Sequence, residues 1–267
     1  MELIHHVALR VTDPIRAEFQ RVGVYLGPGE SSAGIVAFDI SENDTRWSEV
    51  YALSQKLKIA IDMVFTKFTS KELYAADHLQ MNAAWQNGYP QPTDNFKFLN
   101  LTYDLRDYCN KCGAGARQIA PFRIKKPPTW GKRAFFGLNW VFDEFFTKPE
   151  VWREYFEPFG IGCHEVLLHK NDKVIDSVVQ LDITHIVDFD VNGPPLEICE
   201  KCLVRKYHPG IVGFVPKPHS TPFLAFRSSH YHGSGHEARR LVVLNQKVFE
   251  KIYRNRLKGV EFSACVK

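Results

Sequence analysis

The 267-residue sequence lacks the short motifs that identify common enzyme classes. It contains no G-x-x-x-x-G-K-[ST] phosphate loop, no G-x-S-x-G nucleophile elbow and no G-x-G-x-x-G dinucleotide fingerprint. These absences leave no residue on which a catalytic mechanism could be placed, although they do not exclude an enzyme. They favour a non-catalytic role and leave enzymatic activity an open question.

The sequence also lacks signals for secretion, for membrane insertion and for a disulfide scaffold. No stretch approaches the roughly 18 to 20 apolar residues of a membrane span, and the first residues show no charged region followed by an apolar block. Six cysteines are too few for a disulfide framework in a chain of this length. We therefore expect a cytoplasmic protein without a membrane partner.

Composition indicates a folded protein with a substantial core. Hydrophobic residues make up 45% of the chain and aromatic residues 13%, which is enough for one large domain or two smaller ones. The formal net charge is +4. A charge this small neither requires nor excludes a polyanionic partner.

Four of the cysteines form two Cys-x-x-Cys pairs, and these pairs indicate a metal site. The ligands would be Cys109, Cys112, Cys199 and Cys202. Tetrahedral Zn²⁺ binds four thiolates and then has no open position, so its expected role is structural. One ion shared by both pairs would clip together distant parts of the chain. A redox-active pair or simply buried cysteines are the alternatives, and His208 could replace one ligand.

Residues 1–95 are predicted to form a strand and helix region. Apolar residues alternate with polar ones over residues 3–11, and a second apolar run covers residues 34–40, so both stretches are predicted strands. Apolar residues then recur at three- and four-residue steps from Trp47 to Val64. That spacing is typical of one buried helix face.

A second helix is predicted to follow in the same region. Thr69 and Glu72 form a capping box, and apolar residues continue the helical pattern to Leu79. Pro90 and Pro92 then end the helical part, because two prolines in three residues cannot continue a helix.

Residues 96–267 are predicted to form a second region that carries both Cys pairs. Its clearest strand covers residues 179–191, where apolar and polar side chains alternate. A turn at residues 192–195 follows this strand and delivers Cys199 to the first pair.

A weak internal repeat is also present in this second region. Residues 151–163 and 248–262 both indicate a helix, a glycine stop and a short strand, with Gly160 and Gly259 as the stops. The region is therefore interpreted, as a hypothesis, as two repeated helix and strand units.

Three further residues are predicted to be structural. His185 falls on the apolar face of the long strand and is expected to be a core histidine with a satisfied ring. Cys163 and Cys265 are expected to be small buried hydrophobes.

Three histidines lie within seven residues of one another and could bind a second metal. His230 and His232 would share one face of a strand, and a Gly-Ser-Gly turn would bring His236 to them. Such a site would indicate a metal-dependent hydrolase, with Ser229 and His230 as catalytic candidates. We favour an exposed polar loop, because the His-Glu-x-x-His helix pattern is absent.

Basic residues cluster in two places, one of which includes a tryptophan. Lys and Arg beside a stacking Trp could bind phosphates and bases, so a zinc-ribbon nucleic-acid-binding protein is the alternative function. A solvated helix face and a proline-rich connector explain the same residues, and the modest net charge favours that explanation. The first cluster contains Arg123, Lys125, Lys126, Trp130, Lys132 and Arg133, and the second contains Arg239, Arg240, Lys247, Lys251, Arg254, Arg256 and Lys258.

Several motifs in residues 100–267 together resemble a known group of proteins. In their order they resemble the poorly characterised bacterial double-Cys-x-x-Cys proteins, and the C-terminal part is also similar to immunity proteins of bacterial polymorphic toxin systems. In this chain Leu203 follows the second pair, where those proteins have glycine. The motifs are Tyr108-Cys109-x-x-Cys112-Gly113, Trp140-x-x-Asp143-Glu144, the second Cys-x-x-Cys, Gly233-Ser234-Gly235, Val242-Val243-Leu244 and Lys258-Gly259-Val260-x-Phe262.

The resemblance implies a cytoplasmic protein that uses structural zinc and acts by binding another protein, a toxin or an effector. We therefore predict an α+β fold with mostly antiparallel sheets, packed helices and a four-cysteine, zinc-ribbon-like clip. The first functional hypothesis is a zinc-stabilised protein-binding protein, and in its most specific form an immunity protein that neutralises a toxin. A nucleic-acid-binding protein is the alternative, and a metal-dependent hydrolase is the third hypothesis.

Overall fold

The computed structural model describes residues 1–27, 34–61, 63–208 and 212–266. These residues form two units. The smaller unit contains residues 1–27, 34–61, 63–72 and 212–214, and the larger unit contains residues 73–208 and 215–266. No helix in these described ranges is long and apolar enough to cross a membrane.

The smaller unit is a three-stranded antiparallel sheet with two helices. Its elements are β1 (Glu2–Arg10), α1 (Asp13–Arg21), β2 (Ile35–Ser41), α2 (Trp47–Lys56) and β3 (Met63–Lys67). Strand β1 lies in the centre of the sheet, and its Val7 side chain is buried against Phe19 of α1 and Val50 of α2. The helices therefore cover one face of the sheet.

Both predicted N-terminal strands are confirmed, but the helix that follows them is shorter than predicted. α2 ends at Lys56, and Lys58 has a left-handed backbone with a φ of 53°. Such a residue stops a helix because it cannot continue the right-handed turn. Val64 lies on β3 beside the exposed Met63, so its placement on the helix is wrong.

The predicted capping box is confirmed, and it starts helix α3 (Ser70–Ala75). The Thr69 N–H donates to Glu72 Oε2 at 2.8 Å, and the Glu72 N–H donates to Thr69 Oγ1 at 3.3 Å. The prediction that this helix extends to Leu79 is wrong. Leu79 lies on strand β4 (His78–Ala83), which is buried because a strand pairs with it on each side.

The larger unit contains two large sheets, a short strand pair and the remaining helices. The five-stranded sheet consists of β7 (Arg123–Ile124), β8 (Phe135–Leu138), β9 (Val141–Thr147), β10 (Gly162–Leu168) and β11 (Lys173–Asp182), in the order β7-β10-β11-β9-β8. The seven-stranded sheet consists of β4, β12 (Ile186–Val187), β13 (Glu197–Ile198), β14 (Arg205–Tyr207), β15 (Ala225–His232), β16 (Arg239–Asn245) and β17 (Val260–Ala264). Its path is β13-β14-β15-β16-β4-β17, and β12 pairs with β15. The other elements are the pair β5 (Tyr103–Asp104) and β6 (Arg117–Gln118), helices α4 (Phe98–Thr102), α5 (Pro149–Tyr155) and α6 (Gln246–Arg254), and 3-10 turns at Asp94–Phe96, Glu157–Phe159 and Gly235–Glu237.

Most strand pairs in these sheets are antiparallel, and the predicted α+β class is confirmed. Helices α5 and α6 pack on the sheets through Val151 and Val248, which are buried with Phe135 and Leu244. A second cluster, rich in phenylalanine, lies around Phe146 in the five-stranded sheet. The larger unit therefore has the substantial core that the composition indicates.

The long strand predicted at residues 179–191 is two strands in different sheets. β11 lies in the five-stranded sheet, and β12, which follows it, lies in the seven-stranded sheet. Where the chain passes between the sheets, the Arg227 N–H donates to the His185 carbonyl at 2.8 Å. His185 is exposed and stacks on Phe223 with 3.7 Å between ring centroids, so the prediction of a core histidine is wrong.

Both predicted helix, glycine and strand units are present. α5 leads to Gly160 and β10, and α6 leads to Gly259 and β17. Both glycines have positive φ, 72° and 107°. β10 and β17 lie in different sheets, and their origin by duplication stays a hypothesis. The division of the chain after residue 95 likewise stays a prediction.

Candidate metal centre

The first Cys turn, residues 109–114, is a tight loop closed by backbone hydrogen bonds. The Cys109 N–H donates to the Ala114 carbonyl at 2.8 Å, and the Gly113 N–H donates back to the Cys109 carbonyl at 2.7 Å. Gly113 has a φ of 77°, in the left-handed region that glycine adopts without strain. The loop therefore brings the sulfur atoms of Cys109 and Cys112 to the same side.

The second Cys turn, residues 199–204, repeats this hydrogen-bond pattern. The Cys199 N–H donates to the Val204 carbonyl at 3.0 Å, and the Leu203 N–H donates to the Cys199 carbonyl at 2.8 Å. Leu203 occupies the position of Gly113 and has a φ of 59°. Its side chain is 72% exposed, so burial of this leucine does not offset the strain of its left-handed backbone. The absence of a glycine therefore strains the turn but leaves its geometry intact.

The two turns bring four sulfur atoms together. Cys109 Sγ lies 3.8 Å from Cys199 Sγ, and Cys112 Sγ lies 3.5 Å from Cys202 Sγ. All four sulfurs lie within 4.8 Å of one another. A disulfide needs about 2.0 Å, whereas four thiolates placed about 2.3 Å from a metal form a tetrahedron with edges of about 3.8 Å. The four cysteines could therefore hold one metal ion.

Side chains from the middle of each turn bind the other turn. Lys201 Nζ donates to Asn110 Oδ1 at 2.7 Å, and Lys111 forms an ion pair with Glu200. The second position of each turn thus meets the third position of the other, which is the pairing that a local two-fold axis produces. Because the ion pair is exposed, it orients the loops more than it stabilises them.

The surroundings of the four thiols favour different charge states. The N–H groups of Cys202 and Lys201 donate to Cys199 and lower the pKa of its thiol to about 6. Burial raises the pKa of the Cys112 thiol to about 12. Cys109 is also buried, while Cys202 is exposed. A divalent cation among these sulfurs would favour the thiolate form of all four.

A buried lysine and a partly exposed glutamate hold the second Cys turn on the seven-stranded sheet. Lys206 on β14 is completely buried, and its Nζ donates to Glu197 Oε1 at 2.7 Å and to the Gly235 carbonyl at 3.0 Å. Glu197 Oε2 accepts the Gly235 N–H at 2.9 Å. For the first Cys turn, the Gly115 N–H donates to the Tyr231 hydroxyl at 3.0 Å. The cysteine centre is therefore supported by β13, β14 and β15.

The three histidines predicted as a possible second metal site are not brought together as ligands. Among the described residues, the four cysteines are the single group of three or more His, Cys, Asp or Glu that could hold a metal ion. His230 is half-buried, His232 is buried and His236 is exposed. His208, predicted as a substitute ligand, instead accepts a hydrogen bond from His232 Nδ1 through its carbonyl oxygen, at 2.8 Å.

The remaining candidate residues lie outside the cysteine centre. Ser229 Oγ lies 3.1 Å from His230 Nδ1, and burial lowers the pKa of His230. The two residues are neighbours on β15, and this contact alone does not make a catalytic site. Cys265 is buried as predicted, and burial raises the pKa of its thiol to about 12. Cys163 is half-buried, so the same prediction is met only in part for that residue.

A buried polar network in the larger unit is not apparent from the sequence. Arg227 Nη2 on β15 donates to Glu144 Oε2 on β9 at 2.8 Å, and Gln180 Nε2 on β11 donates to the same oxygen at 2.8 Å. Asp143 Oδ2 lies 3.2 Å from Arg227 Nη1. Burial raises the pKa of Glu144, and the charge of Arg227 partly offsets this effect. The sequence shows two adjacent carboxylates in the Trp140-x-x-Asp143-Glu144 motif. No local pattern indicates that they pair with Arg227.

No family model, curated protein or solved structure matches this chain. In the part of the chain that the structure describes, the cysteine centre carries the clearest chemistry. A function is therefore best argued from its four sulfurs and from the surface around them.

Proposed function

We propose that the chain is a zinc-stabilised binding protein in which Cys109, Cys112, Cys199 and Cys202 hold one structural Zn²⁺. The spacing of the sulfurs carries the proposal, since separations of 3.5 and 3.8 Å are close to the edge of a zinc thiolate tetrahedron. Four protein ligands complete the coordination of zinc, so the ion binds neither substrate nor catalytic water. Its role is then to hold the two Cys turns together.

Iron is the other metal that suits this donor set. A tetrahedron of four thiolates binds Zn²⁺ and also occurs in iron–sulfur proteins. Zinc in this state has a filled d shell and gives no visible colour, whereas iron thiolates absorb visible light. The absorption spectrum of the purified protein therefore separates the two metals before any elemental analysis.

Exposed apolar side chains around the second Cys turn support a protein partner. Leu203 is 72% exposed, Ile198 50% and Leu196 45%. Ile198 lies on β13 at the end of the seven-stranded sheet, and the outer edge of β13 has no strand partner among the described residues. A free strand edge with apolar side chains suits an extended segment of another protein, which adds its backbone hydrogen bonds to the sheet.

The similarity of the C-terminal part of the chain to immunity proteins makes a bacterial toxin the proposed partner. The proposed location is the cytoplasm, where thiols stay reduced and remain able to bind metal. Neutralisation requires a surface that covers the toxin and no catalytic residue of this chain.

Elemental mass spectrometry on untagged, reduced protein tests the metal. We expect one zinc per chain in the wild type, and loss of zinc together with a lower unfolding temperature in Cys109→Ser and in Cys199→Ser. Cys163→Ser is the matched control, because Cys163 lies on β10 outside the centre, and it should retain one zinc. Freshly reduced wild-type protein with neither zinc nor iron would refute the proposal, while two metals per chain would favour a hydrolase.

A photo-crosslinking amino acid at position 198 tests the protein surface. We expect one crosslinked protein in extracts of the source cells, and loss of that product when Leu203→Asp is added. Ile119→Asp is the control, because it places the same charge on another apolar side chain, one that is 69% exposed. Zinc content should be unchanged in both variants. Crosslinking that survives Leu203→Asp would contradict this choice of surface.

A further inference from the structure

The two basic clusters of the sequence meet beside the start of β17. Arg133 and Lys258 form an isolated β-bridge, and the Ala134 N–H donates to the Lys258 carbonyl at 2.8 Å. Gly259 allows this close approach, because a Cβ there would lie 2.1 Å from the Phe135 carbonyl oxygen. Segments about 125 residues apart in the sequence are thus held side by side by their backbones.

Exposed cations surround this bridge. Lys132 and Arg133 come from one segment, Arg256 and Lys258 come from the other, and all four side chains are exposed. Within the described ranges none of the four takes part in an ion pair, whereas the neighbouring Arg254 pairs with Glu250 at 3.0 Å. These four residues are called the bridge surface below. Unpaired charges of one sign on a small area attract a polyanion.

A tryptophan lies beneath one of these cations. The guanidinium carbon of Arg133 is 4.4 Å from the centre of the Trp85 ring. Trp85 is half-buried, and its carbonyl accepts the N–H of Gly137 on β8 at 2.9 Å. Its ring packs edge to face against Phe136 on the same strand, with 5.8 Å between ring centroids. A guanidinium that rests on an indole is itself a flat, charged platform. Nucleic acid bases stack on such planes as well as on aromatic rings.

We propose that the bridge surface binds single-stranded nucleic acid through contacts of its four cations with phosphates. One face of the Arg133 guanidinium rests on Trp85, its other face lies beneath a base, and the N–H groups on its edge donate to a phosphate. The charges alone would suit any polyanion, but a flat platform among them favours a ligand that carries bases. A single strand fits because its bases are free to leave the stack. None of the four cysteines belongs to this surface, so the activity is separate from the proposed zinc centre and from the β13 edge.

Fluorescence anisotropy with a labelled oligothymidine of about 16 nucleotides tests the proposal. Four phosphate contacts to a single strand predict a slope of log K against log salt of about −2.8, or about 50-fold weaker binding at 200 mM than at 50 mM salt. Arg133→Gln with Lys258→Gln should reduce the magnitude of the slope by about 1.4.

The matched control removes two positive charges elsewhere, by Lys170→Gln with Lys217→Gln. Lys170 lies in the turn between β10 and β11, and Lys217 lies near Val215, which bridges Cys265 beyond the far end of β17. The control should keep the wild-type slope and affinity. Both double variants replace exposed side chains, and their unfolding temperatures should match that of the wild type.

Four results would overturn the inference. The first is no binding to the oligothymidine at 50 mM salt, and the second is equal weakening by the two double variants. The third is equal affinity for a strand of the same length without bases, because loss of the stacked base should weaken binding about tenfold. Tighter binding of a duplex than of the single strand would overturn the assignment to single strands.

Discussion

The buried ion pair between Arg227 and Glu144 makes the stability of the larger unit depend on one cation. In Arg227→Leu, Glu144 keeps the Gln180 amide as a hydrogen-bond donor but loses its counter-charge, and in the wild-type structure its side chain is only 5% exposed. Removing one partner of a buried ion pair costs about 3 to 5 kcal/mol, because the remaining charge is left unpaired. That is a large share of the about 5 to 15 kcal/mol that stabilises a typical domain.

The loss should also depend on pH in a defined direction. Burial already raises the pKa of Glu144, and loss of Arg227 raises it further. A carboxyl with a raised pKa in the folded state contributes stability that is complete below its unfolded pKa, near 4.3. This contribution is lost as the pH rises through the folded pKa. The deficit of Arg227→Leu relative to the wild type should therefore be smaller at pH 5 than at pH 8.

Urea unfolding at pH 5 and pH 8 measures this deficit as the change in the free energy of unfolding. Adding Glu144→Gln to Arg227→Leu removes the orphaned charge and should restore part of the loss. Arg117→Leu is the control, because the Arg117 and Asp107 side chains are largely exposed and 3.4 Å apart, and it should leave the stability unchanged. A deficit below about 1 kcal/mol at pH 8, or one that is the same at both pH values, would refute the reasoning.

Three further predictions concern the backbone contact at Gly259, the buried Lys206 and the metal. Gly259→Ala should lower the unfolding free energy by more than about 3 kcal/mol, since the new Cβ meets the Phe135 carbonyl oxygen. Gly160→Ala, which has similar left-handed strain and open space around it, should cost only about 1 kcal/mol in the same urea titration. Lys206→Met should cost about 2 kcal/mol, because the Gly235 carbonyl and Glu197 Oε1 lose the donor that they share, while Glu197 Oε2 keeps the Gly235 N–H. Lys201→Met should be neutral, and equal effects of the two substitutions would be inconsistent with a special role for the buried lysine. Treatment with a zinc chelator should lower the unfolding temperature of the wild type and leave that of Cys109→Ser unchanged, and calorimetry that finds no difference in the wild type would show that the metal is not structural.

Local patterns in the sequence predict several elements correctly, and the four cysteines that they single out lie in one cluster that could hold a metal ion. The spacing of Cys109 and Cys112 fixes a tight turn, and the Thr69 and Glu72 pair fixes a helix start, because both depend on residues only a few positions apart. The second Cys turn forms although Leu203 replaces glycine. Its hydrogen bonds compensate for the strain, and no local propensity would show that.

Most of the errors arise where the apolar pattern in the sequence continues across the end of a helix or strand. Apolar and polar residues do alternate over residues 179–191, but the chain leaves the five-stranded sheet at the end of β11. The backbone N–H of Arg227 donates to the His185 carbonyl just before β12 joins the seven-stranded sheet. The helical spacing of apolar residues continues to Val64, although α2 ends at Lys56 and Lys58 has a left-handed backbone. Helix α1 is also missing from the prediction, because its nine residues are too few to show a clear period. The first of these errors depends on a contact between distant residues, whereas the end of α2 and the shortness of α1 are local features that an apolar period does not show.

Cys109 and Cys199, whose sulfur atoms lie side by side, are separated by 90 positions in the sequence, and this separation has a consequence during synthesis of the chain. A ribosome adds about 5 to 20 residues per second, so Cys109 and Cys112 leave it about 5 to 18 seconds before their counterparts. During that interval two neighbouring thiols have no second pair with which to share an ion, and thiol exchange with an oxidised disulfide such as oxidised glutathione can convert them into a disulfide while that oxidant is reduced to thiols. The fraction of newly made chains that reach the four-sulfur arrangement should therefore depend on how reducing the surroundings of the ribosome are, as well as on the supply of metal.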